Sequence, residues 1–210
     1  MARRHRELIA NHCYHVMNRG NERARVFHTD ADYRAFLRVT AEACERLPMR
    51  ILAACVMPNH FHMVLQPFGT GELSRWMHWL MTTQVARYRR HHQTIGHIWQ
   101  GRFKPFLIHQ DGHLLATMRY VERNALRAGL VGRAEDWPWG SLNWRTVGRS
   151  PVPLAEPPMG LPPGWLERVN EPQTDAELEA LRACANKGTP FGGGVTARTP
   201  GLSSDPITRS

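Results

Sequence analysis

Val56-Met57-Pro58-Asn59-His60-Phe61-His62-Met63-Val64-Leu65 decides the fold. Pro58-Asn59 is a turn signal between two apolar runs. Ile51 to Met57 and His60 to Gln66 therefore read as neighbouring strands of an antiparallel hairpin in the middle of a sheet. Residues i and i+2 of a strand share a face, so His60 and His62 project side by side, roughly 7 Å apart along the chain. Phe61, Met63 and Leu65 take the opposite face, which is apolar enough to be core. Two imidazoles on one face of such a strand are half of a metal site, or two satisfied polar residues on an exposed sheet face. The stretch alone leaves both readings open.

Working outward, Asn11 to Arg19 reads as a first strand that Gly20-Asn21-Glu22-Arg23 breaks as a turn. Asp30 is expected to cap a helix running to about Arg46, with Tyr33, Phe36, Leu37, Thr40, Ala41 and Cys44 as its inner stripe. Beyond the hairpin, Gly69-Thr70-Gly71 precedes a helix from about Leu73 to His91, striped by Leu73, Trp76, Met77, Leu80, Met81, Gln84, Val85 and Tyr88. Its basic end, Arg87 to His92, suits a helix C-terminus and could equally meet phosphate. A fourth strand lies within Ile98 to His109. Strand, helix, strand, strand, helix, strand is the ferredoxin-like βαββαβ order, an α+β fold with an antiparallel sheet and helices on one face.

A further helix is expected from about Gly112 to Arg127, with Asp111 as its N-cap. Leu114, Leu115, Met118 and Val121 form its apolar face, and Tyr120 falls on the other side with His113, Thr117 and Asn124. Tyr120 is thus more than a core aromatic of this helix. After residue 147 the character changes. Ten of the 15 prolines lie in residues 151–210, so 1–147 reads as one domain and 148–210 as a Pro/Gly-rich extension, partly disordered. The one helix expected there is Asp175 to Ala185.

Charge divides the same way. Residues 1–150 carry 22 Lys and Arg against 11 Asp and Glu, whereas residues 151–210 carry 5 against 7. A basic domain with a mildly acidic tail suggests a polyanionic partner, most plausibly nucleic acid. Trp99-Gln100-Gly101-Arg102-Phe103-Lys104 interleaves rings with cations, as a single-stranded nucleic-acid groove requires, although an ordinary strand with solvated charges has the same composition. Cys13, Cys44, Cys55 and Cys184 show no CxxC spacing and read as reduced thiols. The absence of a membrane span or signal-peptide core points to the cytoplasm, in contact with the nucleoid while on DNA.

His60-Phe61-His62 has the His-hydrophobic-His form of the HUH endonucleases. Tyr120-Val121-Glu122-Arg123-Asn124, followed by Leu126-Arg127-Ala128-Gly129-Leu130-Val131, resembles the single-tyrosine transposases of the insertion-sequence type. Tyr14 to Asn21, Trp99 to Phe103 and Asp136-Trp137-Pro138-Trp139-Gly140-Ser141 match the same pattern, most nearly in its REP-associated branch. One departure is Asn124-Ala125, where the family usually has Asn-Pro. The resemblance implies Tyr120 as nucleophile, His60, His62 and Asn124 as ligands of Mg²⁺ or Mn²⁺, and single-stranded or hairpin DNA as partner. It implies nicking and rejoining at palindromic repeats through a 5′-phosphotyrosine. Arg19, Asn21, Arg102, Lys104, Arg123 and Arg127 are candidate DNA contacts from charge and position. A homodimer and a monomer both fit the sequence. Three alternatives remain: a catalytically silent, host-retained protein that binds DNA hairpins, a relaxase or replication initiator of the wider HUH class, and a zinc hydrolase.

Overall fold

A computed structural model describes residues 8–108, 111–174, 177 and 179, with backbone alone at 111 and 112. Four strands form one antiparallel sheet: β1 (Cys13–Arg19), β2 (Met49–Met57), β3 (His60–Pro67) and β4 (Lys104–Ile108). Their order, β2-β3-β1-β4, is the ferredoxin-like arrangement expected from the element sequence. Met57 lies opposite His60, so Pro58-Asn59 closes the hairpin as a two-residue turn. A register shift between Ile51 and Ala53 gives β2 one extra residue, Leu52, which also turns to the α3 side.

Helices α1 (Asp30–Arg46) and α2 (Glu72–His92) cover one face of the sheet. Between them and the strands lie Val16, Phe36, Phe61, Met63, Leu65, Trp76 and Leu80, nearly all inaccessible to solvent. The first helix is capped by Thr29 rather than Asp30. Asp32 explains the difference, because its Oδ2 accepts the backbone N–H groups of Thr29 (2.8 Å) and His28 (2.9 Å). The signal was Thr-x-x-Asp, one residue earlier than the first acidic residue.

The opposite face carries α3 (Asp111–Glu122), α4 (Asn124–Arg127), α5 (Ser141–Thr146) and α6 (Trp165–Asn170). The single helix expected through Arg127 slackens at Arg123 (φ −80°, ψ −4°) and resumes as the one-turn α4. Asn124 still follows Tyr120 by one turn. Glu122, fully buried at the end of α3, accepts hydrogen bonds from Ser141 Oγ (2.6 Å) and Trp165 Nε1 (2.7 Å), with Arg145 Nε at 3.5 Å. Burial raises the Glu122 carboxyl above the usual range, against the lowering effect of these partners. This network anchors the C-terminal end of α3 to β2 as well, because Ser141 Oγ accepts the Ala54 N–H at 3.0 Å.

The Trp137-Pro138-Trp139-Gly140-Ser141 segment is thereby a clasp on β2. Trp137 Nε1 donates to the Val56 carbonyl at 2.9 Å, and the Val56 N–H donates to the Trp139 carbonyl at 2.9 Å. Helix α6 was not anticipated in the Pro-rich region. Its Trp165 and Val169 complete the core under α3. The expected helix Asp175–Ala185 and Cys184 fall outside the described residues, apart from Glu177 and Glu179, which are helical. Cys13, Cys44 and Cys55 are buried thiols outside any disulfide among the described residues. No described helix is long and apolar enough to cross a membrane.

Candidate active site

Strand alternation builds the site. In the register of β3 against β1 and β2, His60 and His62 share a face with Arg19, Met17 and His15 of β1 and with Met57 and Cys55 of β2. Lys104 and Phe106 of β4 fall on that face too. Helix α3 lies across it and lowers Tyr120 toward the two imidazoles. The Tyr120 ring meets His62 edge-on at 5.8 Å and His15 at 6.0 Å between centroids. A cavity of about 320 Å³ opens at this junction, walled by His60, His62, Tyr120, Arg19, Arg102, Lys104 and Arg127 among others.

Each imidazole is fixed through one nitrogen. His60 Nδ1 donates to Asn59 Oδ1 at 2.6 Å, which leaves Nε2 with its lone pair. His62 Nδ1 pairs with His15 Nε2 at 2.8 Å, and the rings stack at 5.0 Å. A proton on His62 Nδ1, donated to His15, leaves the His62 Nε2 lone pair unused as well. Burial lowers the His60 pKa to about 4, assisted by the charges of Arg19 and Arg127. Burial also lowers His15 to about 4 and His62 well below the ordinary histidine value, with the neighbouring imidazoles contributing at His62. All three are neutral at pH 7, as metal ligands must be.

Arg127 organises the other side. Its Nη2 lies 3.1 Å from Asn124 Oδ1 and 3.4 Å from the Tyr120 hydroxyl, and its guanidinium sits 4.9 Å from the Tyr120 ring centroid. Asn124 is buried, and its Nδ2 has no hydrogen-bond partner. The two imidazoles with free Nε2 atoms fit a divalent ion, whereas Asn124 does not line the cavity and its Oδ1 is held by Arg127, so it would join them only once Arg127 releases that oxygen.

Of the candidate DNA contacts, the structure brings Arg19, Arg102, Lys104 and Arg127 to the cavity. It does not bring Arg123, whose guanidinium is spent on the Val169 carbonyl (3.0 Å) and the Asn170 carbonyl at the end of α6. Nor does Asn21 line the cavity; it sits in a 3-10 turn with its N–H bonded to the Ile98 carbonyl at 2.9 Å. Sequence reasoning missed His15, although the alternation of β1 against β3 carried the signal. Gly101 and Arg102 also edge a second, more apolar groove of about 870 Å³ between α2 and the segment before β4, walled by Met77, Met81, Val85 and Phe103.

Residues 9–124, more than half of the chain, match the family described as "Transposase IS200 like". The chain belongs to the IS200-like transposase family. Its His60-x-His62 strand and Tyr120 helix both lie within the matched residues. A protein of Haemophilus influenzae described as a REP-associated tyrosine transposase is 28% identical over 113 residues, which is 49% of this chain and 64% of that relative. The chain thus spans somewhat under two thirds of the relative's length. A solved REP-associated tyrosine transposase, described as bound to a REP hairpin, superposes with a TM-score of 0.55 at 20% identity, covering 77% of this chain and 98% of the other. That likeness is one of fold.

Proposed function

We propose that this IS200-like chain is a metal-dependent single-stranded DNA endonuclease and strand transferase, acting at hairpin-forming palindromic repeats through a 5′-phosphotyrosine. What carries the reading is the meeting of Tyr120, His60 and His62 in one cavity ringed by Arg19, Arg102, Lys104 and Arg127. Four cations around about 320 Å³ suit a DNA phosphate, and the Tyr120 phenol is the one hydroxyl nucleophile among the described residues that line it.

His60, His62 and Asn124 would hold the ion, Mg²⁺ or Mn²⁺, which supplies Lewis-acid polarisation of the scissile phosphate. The Tyr120 oxygen attacks phosphorus in line. The Tyr120 O–P bond forms as the P–O3′ bond breaks, the phenolic proton is lost, and the departing 3′ oxygen takes one up. Arg127, 3.4 Å from that hydroxyl, neutralises charge growing on the phosphoryl oxygens. The phosphotyrosine conserves the bond energy, so a second 3′-OH reverses the step and joins new ends. Single-stranded DNA leaving the cavity past Gly101 and Arg102 enters the apolar groove, where Phe103 and the methionines offer surface to bases.

The test uses hairpin-bearing single-stranded oligonucleotides, each metal in turn, and a Tyr120→Phe variant. A denaturant-resistant protein–DNA band that needs metal and Tyr120 supports the reading. Hairpin binding without an adduct under every condition would instead establish a silent, hairpin-binding protein.

A further inference from the structure

The sheet face away from Tyr120 carries a second group of histidines that the proposed DNA chemistry does not use. The C-terminal end of α2 meets the N-terminal end of α1 there. His92 Nε2 lies 2.7 Å from Asp32 Oδ1, and one ligand atom each from Asp32, His91 and His92 all fall within 4.8 Å of one another. His28 stands beside them, its ring 5.3 Å from that of His92 and its Nε2 3.0 Å from the Tyr88 hydroxyl.

We propose that Asp32, His91 and His92 form a metal site of their own, taking a divalent transition ion of the Zn²⁺ type and pinning α1 to α2. Two imidazoles and a carboxylate are a three-ligand set that Zn²⁺ accepts with water in the fourth position. Ligand atoms of a tetrahedral ion at the usual bond lengths stand about 3.3 Å apart. The cluster therefore needs to open slightly between Asp32 and His92 and to close toward His91, which is exposed and can rotate.

The donors are prepared in different degrees. Asp32 Oδ2 is saturated by the Thr29 and His28 backbone, which orients the carboxylate and leaves Oδ1 to face the histidines. Burial alone would raise the Asp32 carboxyl, but the Thr29 and His28 backbone and His92 outweigh it and hold it below the usual range, so it is charged at neutral pH. On binding, the ion takes the place of the hydrogen between Oδ1 and Nε2, and the ring binds through Nε2 as its Nδ1–H tautomer. Two arginines of the same helix end are committed elsewhere, Arg87 to Glu42 at 2.7 Å and Arg89 to the Gly96 carbonyl at 2.5 Å. The last turn of α2 adds the negative end of a 21-residue helix.

This proposal is independent of the DNA chemistry, and its test keeps the two metal sites apart. Untagged full-length protein is stripped with a chelator, then titrated with Zn²⁺ and, for its visible spectrum, with Co²⁺. The protein carrying His60→Ala with His62→Ala is expected to keep one equivalent and a Zn²⁺-dependent rise in melting temperature. Adding His91→Ala with His92→Gln is expected to weaken that binding about tenfold or more and abolish the thermal shift. His91 is exposed and glutamine at 92 can still donate to Asp32, so these changes spare the fold. Absence of saturable binding in the His60/His62 variant, or binding undiminished by the His91/His92 changes, overturns the proposal.

Discussion

The two faces of the sheet are made by the same strands and have opposite characters. Toward α1 and α2, β3 presents Phe61, Met63 and Leu65, all at 0% exposure, in a core of aromatic and aliphatic side chains. Toward α3 it presents His60 and His62 beside His15, Arg19 and Lys104, and the helix above contributes Tyr120 and Arg127. A shift of one residue in register would exchange these roles completely. The difference teaches that the apolar face fixes the strand so firmly that the other face can hold buried imidazoles at a working geometry.

The comparison is broken most severely by removing one member of each face. Phe61→Ala should cost about 3–5 kcal/mol of stability, read from denaturant midpoints. His62→Ala should abolish metal-dependent cleavage while the melting temperature falls far less. Equal losses of stability from both changes would mean that the imidazole is simply core. A smaller effect is expected at His15→Phe, which removes the partner of His62 Nδ1. Metal affinity should drop about 10–100-fold by calorimetry, with hairpin affinity in the absence of metal unchanged.

Acid sharpens the contrast further. The unfolded chain protonates its histidines near pH 6.5, while burial holds folded His15 and His60 down to about 4 and His62 well below its ordinary value. Between these limits the unfolded state binds more protons, so stability falls as pH drops from 6.5 toward 4, by up to about 1.4 kcal/mol per pH unit for each histidine. Saturating metal should deepen that fall, since the ion needs neutral imidazoles. The smallest effect is expected at Lys104→Ala. It should lower the slope of log affinity for DNA against log salt by about one, with no change in melting temperature.

The fold was legible in the sequence because periodicity and turns agreed over β2, β3, α1 and α2. Pro58-Asn59 fixed the hairpin, and the hairpin fixed which face each histidine takes. The helical angle set Tyr120 apart from the Leu114, Met118 and Val121 stripe, but its ring is buried in the same cluster, where it also meets His15 and His62. What was not legible depends on contacts between distant segments. His15 acquires its role only from the β1–β3 register, and Arg123 loses its expected one to the carbonyls of α6, a helix hidden in a Pro-rich stretch. Glu122 carries no local signal either, because Ser141 and Trp165 reach it from segments 19 and 43 residues away. The Asn124 oxygen could be placed near the site from the helix, but its engagement by Arg127 could not.

The central claim is that Tyr120 becomes joined to DNA, and mass spectrometry of the trapped adduct tests it most directly. The covalent complex formed on a hairpin substrate with Mn²⁺ is digested with protease and nuclease, and the nucleotide-bearing peptide is sequenced. The account predicts one modified peptide, with Tyr120 linked to a 5′-phosphate and a free 3′-OH on the released strand. A nucleotide on any other residue, or a linkage through a 3′-phosphate, would contradict it.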